Sequence, residues 1–155
     1  SADKQGDPTA VIQILDPEMG KPDVPAVGEQ PLPTLPAYGY VALTRFAAKQ
    51  LYAPARLLRE LPGVVRVPVR RESVKLVRGG AVEARPLVGW RAGDRYLTSV
   101  KLTNLTSQAV TLDPRTLRGA WLTAAFQHNR LHTAGDEADT TVVYLISARP
   151  FETSL

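Results

Sequence analysis

The chain has 155 residues, 44% of them hydrophobic, which is enough for one globular core with extra segments or at most two small domains. It has no cysteine, so disulfides, thiolate metal ligands and cysteine nucleophiles are excluded, and no apolar run approaches the roughly 18 residues of a membrane-spanning helix. The formal net charge of +4 is unevenly spread: residues 1–29 carry six acids against two lysines, net −4, while the remainder carries 17 bases against nine acids, net +8.

Residues 1–37 contain seven of the 13 prolines. Proline removes backbone donors and turns its predecessor away from the helix, so this stretch reads as an extended linker of polyproline character. One short run, 10–15, is a possible strand. It is expected either to pair at an edge of the main sheet or to end a preceding domain.

The pattern turns helical over residues 38–61. Tyr40, Leu43, Ala47 and Leu51 recur at spacings of three and four with Phe46 beside them, and all are expected to face a core. Pro54 should end this helix near Tyr52 and open a second short one through Leu57, Leu58 and Leu61, stopped by Pro62-Gly63. Arg45, Lys49, Arg56 and Arg59 would share a basic face only if the helix ran unbroken through Pro54.

Residues 62–155 read as β. Val64–Val69 carries Pro68 and suits a sheet edge. Glu72–Val77 and Ala81–Ala84 flank Arg78-Gly79-Gly80, and Leu87–Arg91 and Arg95–Asn104 flank Ala92-Gly93-Asp94; both pairs read as hairpins. Tyr96, Thr98, Val100 and Leu102 alternate with Ser99, Lys101 and Thr103, as in a half-buried antiparallel strand, with Leu97 the exception. Gln108–Leu112 is a short return strand. Asp113-Pro114-Arg115 is a sharp turn, with one helical turn over Thr116–Gly119. Ala120–His128 and Asp139–Ser147, the more apolar segments, should be interior strands. Trp90 and Trp121 are expected in the core. Seven or eight short strands with turns between them indicate an immunoglobulin-like antiparallel β-sandwich.

No chemistry-bearing constellation stands out. His128 and His132 are four apart, but they fall at a strand end without an intervening glutamate, and metal is not expected. There is no nucleophile elbow, Walker loop or dinucleotide fingerprint, and the acids of the β-body lie almost wholly in turns. Neither an enzyme nor a cofactor is expected. Asn104-Leu105-Thr106 matches a glycosylation sequon, a pattern common by chance.

The order Trp90-x-x-Gly93-x-x-Tyr96, Val100–Asn104, Val110–Asp113, Leu117–Trp121 and Val142–Ile146 resembles the C-terminal β-sandwich domain of TraK-like proteins of conjugative type IV secretion systems. Leu43–Ala48, Gln50–Pro54, Phe126-Gln127-His128 and Arg149–Glu152 resemble the version carried by integrating conjugative elements. Together these segments cover about residues 38–152. The resemblance implies a non-enzymatic scaffold, exported to the periplasm and associated with the outer membrane. Its partners there would be a cognate lipoprotein and a TraB-like channel protein, in a ring-forming core complex. Family members also carry a signal peptide and an N-terminal β-domain, so a chain starting at Ser1 is expected to be the C-terminal part of a longer precursor. A small-molecule substrate is not expected.

The candidate contact residues are Val65, Val67 and Val69 on the expected edge strand, with Arg45 and Lys49 on the helix. The alternative is a DNA-contacting accessory protein of the same mobile element, which rests on the basic body alone. A carbohydrate- or ligand-binding sandwich is a weaker third reading.

Overall fold

The computed structural model describes residues 11–13, 38–54, 56 and 61–155. The chain is mainly β and antiparallel, with a short helix ahead of most of the strands. Strands β1 (Ile12–Gln13), β2 (Val64–Val67), β3 (Val82–Ala92), β4 (Arg95–Asn104), β6 (Thr123–Phe126) and β8 (Thr140–Ser147) form one sheet in the order β1-β6-β8-β4-β3-β2. β5 (Val110–Thr111) and β7 (Arg130–Leu131) form a separate two-stranded sheet. The two sheets are therefore unequal, six strands and two.

The central strand β8 explains the layering. Its residues Thr141 to Ser147 are all buried, so no polar face remains to meet water and both faces of the sheet need a cover. On one face Val143 and Leu145 join Val100 and Leu102 of β4 and Ala124 and Phe126 of β6, packed under Leu76, Leu112, Leu117 and Leu131 of the second layer. On the other, Tyr144 and Ile146 join Trp90 and Leu97, covered by Leu43, Ala47 and Ala48 of helix α1 (Tyr40–Tyr52). Leu97 breaks the alternation of β4 because it pairs with Trp90 and Ile146 in the row beneath the helix. β4 is thus buried on both faces over 97–100 and is not the half-exposed strand that alternation suggests.

Helix α1 ends where the sequence requires. Ala53 is extended, with φ −76° and ψ 148°, because Pro54 disfavours the helical region for its predecessor. The expected second helix through Leu57 and Leu58 lies outside the described residues, as do Arg59 and most of the linker; Leu61 is non-helical and opens the Pro62-Gly63 turn. Of the possible strand 10–15, residues 11–13 are described, and Ile12 and Gln13 form β1. They pair with Ala124 and Thr123 at the sheet edge formed by β6.

Several other expectations need correction. Ala81–Ala84 and Leu87–Arg91 belong to the single strand β3, in which a bulge between Pro86 and Val88 absorbs Leu87. Pro86 is tolerated because the β2 ladder stops at Gly89, so its missing N–H interrupts no bond on that side. Glu72–Val77 is not the partner strand of a hairpin. Only Val74 bridges Ala84, while Val77 bridges Leu117 in the second layer. The helical turn expected over Thr116–Gly119 falls earlier, at Pro114–Thr116, capped by the Asp113 carboxylate accepting from the Arg115 N–H. A C-terminal helical turn, α2 (Phe151–Ser154), was not expected from the sequence.

Trp121 anchors that turn. Its Nε1–H donates to the Arg118 carbonyl at 2.6 Å and its ring stacks on Phe151 at 5.4 Å. The chain approaches closely there: a Cβ on Gly119 (φ +111°) would lie 2.6 Å from the Ser154 carbonyl oxygen and 2.8 Å from the indole. Asn104 locks the opposite end of the second layer. Its amide donates to the Gln108 and His132 carbonyls and accepts from the Thr106 N–H and hydroxyl. The sequon asparagine is fully buried, which leaves no room for a glycan in the folded chain.

The layer beneath α1 contains polar groups. Thr44 returns its hydroxyl to the Tyr40 carbonyl, and the Tyr144 hydroxyl donates to Gln127 Oε1 at 2.6 Å. Ser99 Oγ and Thr123 Oγ1 are buried with no partner among the described residues, each costing about 1–3 kcal/mol.

Two predictions follow from this packing. Leu43 is 1% exposed and Leu51 only half-buried, a correction to the equal burial expected from spacing. Leu43→Ala should lose about 2–5 kcal/mol in urea titrations, and Leu51→Ala clearly less. Burial, with a smaller push from Tyr52, raises the Tyr144 phenol well above its ordinary value. The folded state thus holds that phenol neutral, whereas the unfolded chain releases the proton near pH ~10. Stability should be intact below that pH and fall by about 1.4 kcal/mol per pH unit above it. Tyr144→Phe should remove most of this alkaline slope; an unchanged slope would place the loss elsewhere.

Candidate interaction edge

The open side of the sheet is β2. It pairs with β3 through Val64↔Ala92, Val65↔Arg91, Arg66↔Trp90 and Val67↔Gly89, and among the described residues no strand lies on its other side. Alternate residues therefore turn backbone N–H and C=O groups outward. Pro68 has no N–H, which limits the open row to the four residues before it.

The register assigns β2 side chains to faces. Arg66 stands in the row of Trp90 and Leu97, on the helix side. Val65 stands in the row of Arg91 and Tyr96, and Val67 in the row of Gly89 and Thr98, both on the opposite face. Val65 is 57% exposed, a large apolar side chain left in water. Beside it the Arg91 guanidinium lies 5.8 Å from the centre of the Tyr96 ring and donates through Nε to the Gly93 carbonyl at 2.9 Å.

A cavity of about 220 Å³ opens at the end of this edge, lined by Val67, Pro68, Val69, Tyr96, Thr98 and α2 from Pro150 to Glu152. Gly89 makes room for two of the side chains that line it. A Cβ there would lie 2.7 Å from Val69 Cγ1 and 3.2 Å from Val67 Cγ2, so both valines lean over a strand that has no side chain.

Of the candidate contact residues, Val65, Val67 and Val69 are brought together at this edge. Arg45 and Lys49 are exposed on α1 and belong to the other face of the sheet, so the five residues do not form one surface. Ala120–His128 and Asp139–Ser147 contribute β6 and β8, which lie inside the sheet. Tyr96, Gly89 and Phe151 were missed in the sequence. The one available signal was a glycine inside a strand pattern.

The histidines are held locally. His128 Nδ1 is 2.9 Å from the Arg130 carbonyl, and His132 Nδ1 is 3.4 Å from Asp136. The Gly135 N–H and the Thr140 hydroxyl hold the Asp139 carboxyl below the usual carboxylate range. Among the described residues no three histidine, aspartate or glutamate side chains converge as metal ligands, and no helix is long and apolar enough to cross a membrane.

A family model described as "Protein of unknown function (DUF3438)" matches residues 15–155, which takes in α1, the second layer and every strand but β1. The chain belongs to the DUF3438 family. No curated protein matches it. The β2 edge and its cavity lie wholly inside the DUF3438 match, so they belong to the family's domain and not to an appended segment.

Gly89→Ala tests how the cavity is built. The added methyl should displace Val69 and cost about 1–3 kcal/mol. Combining it with Val69→Ala should recover part of that loss, measured by thermal melts of the two single variants and the double. Additive losses would show that the two side chains do not meet.

Proposed function

We propose that this DUF3438 chain is a scaffold subunit of a conjugative type IV secretion system, joining the periplasmic and outer-membrane core complex through protein–protein contacts. The observation that carries the reading is the open β2 edge with exposed Val65 beside an apolar cavity. A sheet edge left unpaired is a place where another chain can add a strand. The sequence resemblance over about residues 38–152 supplies the setting: a cognate outer-membrane lipoprotein, a TraB-like channel protein and a ring of copies of this chain. A scaffold needs no catalytic group or small-molecule substrate, and the histidine and carboxylate contacts described above serve local turns.

The competing reading is a DNA-contacting accessory protein, favoured by the net charge of +8 beyond residue 29. The two differ in salt dependence. Contacts to phosphate weaken by orders of magnitude as salt rises toward about 0.5 M, whereas strand addition and apolar packing persist.

The test is to purify the full precursor from envelope membranes of cells carrying the element, washing at low salt and at about 0.5 M salt, and to identify what remains bound. The expected result is retention of a lipoprotein and a channel protein under both washes. Recovery of DNA at low salt, lost at high salt, with no envelope protein would overturn the scaffold reading.

A further inference from the structure

Along β2 and just past it the chain carries an unbalanced set of charges, with Arg66 on the helix side of the sheet and Arg70 and Arg71 next to the cavity-lining Val69. Arg66, Arg70 and Arg71 are exposed, and no carboxylate among the described residues forms an ion pair with any of them. The nearest acids along the chain and the cavity are Glu72, next to Arg71, and Glu152, on the cavity wall. At about 220 Å³ the cavity is smaller than the roughly 300–1,000 Å³ of small-molecule sites, and it suits a single apolar side chain. Strand-pairing groups, one wall of a pocket for one side chain and guanidinium groups without a carboxylate partner among the described residues thus fall within residues 64–71.

We propose that the β2 edge binds an extended acidic segment of a partner protein. The segment adds to the sheet beside Val64–Val67 and seats one apolar side chain among Val67, Val69, Tyr96 and Phe151. Its carboxylates meet Arg66, Arg70 and Arg71, whose planar guanidinium groups match carboxylate geometry with two parallel hydrogen bonds. Glu152 on the cavity wall repels an acid from the anchoring position, so the acids flank the apolar residue, and this fixes the register of the segment. Duplex DNA fits the arginines but offers no strand for the edge and no side chain for the cavity. This inference rests on the scaffold reading and adds the chemistry of the partner segment.

The experiment is to pan a phage library of random dodecapeptides against the full 155-residue chain at about 0.15 M salt. The enriched peptides should be acidic with one apolar residue at a constant position. Their affinity should fall about tenfold or more for the Arg66→Glu/Arg70→Glu/Arg71→Glu variant, whose substitutions are all exposed and should leave the melting temperature unchanged. N-methylation of one peptide backbone nitrogen beside the apolar residue should cost a similar factor, because it blocks strand pairing without altering the protein. No enrichment, enrichment of neutral or basic peptides, or binding indifferent to both changes overturns the proposal. Displacement of the peptides by a duplex oligonucleotide that itself requires the three arginines overturns it too.

The two levels separate cleanly. Envelope co-purification with failed panning removes this site and keeps the scaffold. Acidic peptides captured at β2 by a chain that retains no envelope protein keep the site and remove the secretion setting.

Discussion

A strand buried on both faces sets the terms for this fold. β8 has no side that tolerates water, so the sheet around it is stable only with a layer above and a layer below. The chain supplies the two layers from separate stretches of sequence. Helix α1, ahead of β2, covers Tyr144 and Ile146; the segments between β2 and β8 cover Val143 and Leu145. Removing either layer exposes a row of large apolar side chains.

The two layers are not equivalent. The one built from loops and the β5–β7 pair is tied by specific polar contacts, with Asn104 at one end and Trp121, Arg118 and Ser154 at the other. The helical layer rests on alanines and leucines and places two hydroxyls without a partner among the described residues, Ser99 and Thr123, beneath it. Its attachment is mainly apolar contact, offset by the cost of those buried groups. The edge at β2 lies outside both covering layers, which is why Val65 stays exposed and a cavity remains between Val67, Val69 and Phe151.

Much of the architecture was readable in the sequence, for identifiable reasons. Pro54 acts locally on the backbone, so the end of α1 could be placed before any contact was known, whereas the edge strand expected over Val64–Val69 stops at Val67, ahead of Pro68. The Gly93 hairpin followed from the turn residues between two runs of strand formers. Other features depend on neighbours in space. Leu97 broke the expected alternation because a helix some fifty residues earlier covers that face. Pro86 looked like a strand boundary, yet the short reach of β2 lets it sit within β3. The site was half legible: Val65, Val67 and Val69 carried the edge signal, while Tyr96 and Phe151 join them only through the folding of β4 and α2. Arg45 and Lys49 shared a charge sign with that edge but not a face.

The two borders of the large sheet are treated differently by the chain itself. At one, β1 is the outermost strand and only two residues long; at the other, β2 has four residues and stops at a proline. Fibril growth needs long, flat edges that template further strands along their whole length. A strand joined at β2 is held over four residues only, so such a domain can recruit a short insert into an ordered assembly while offering little template for an open-ended polymer.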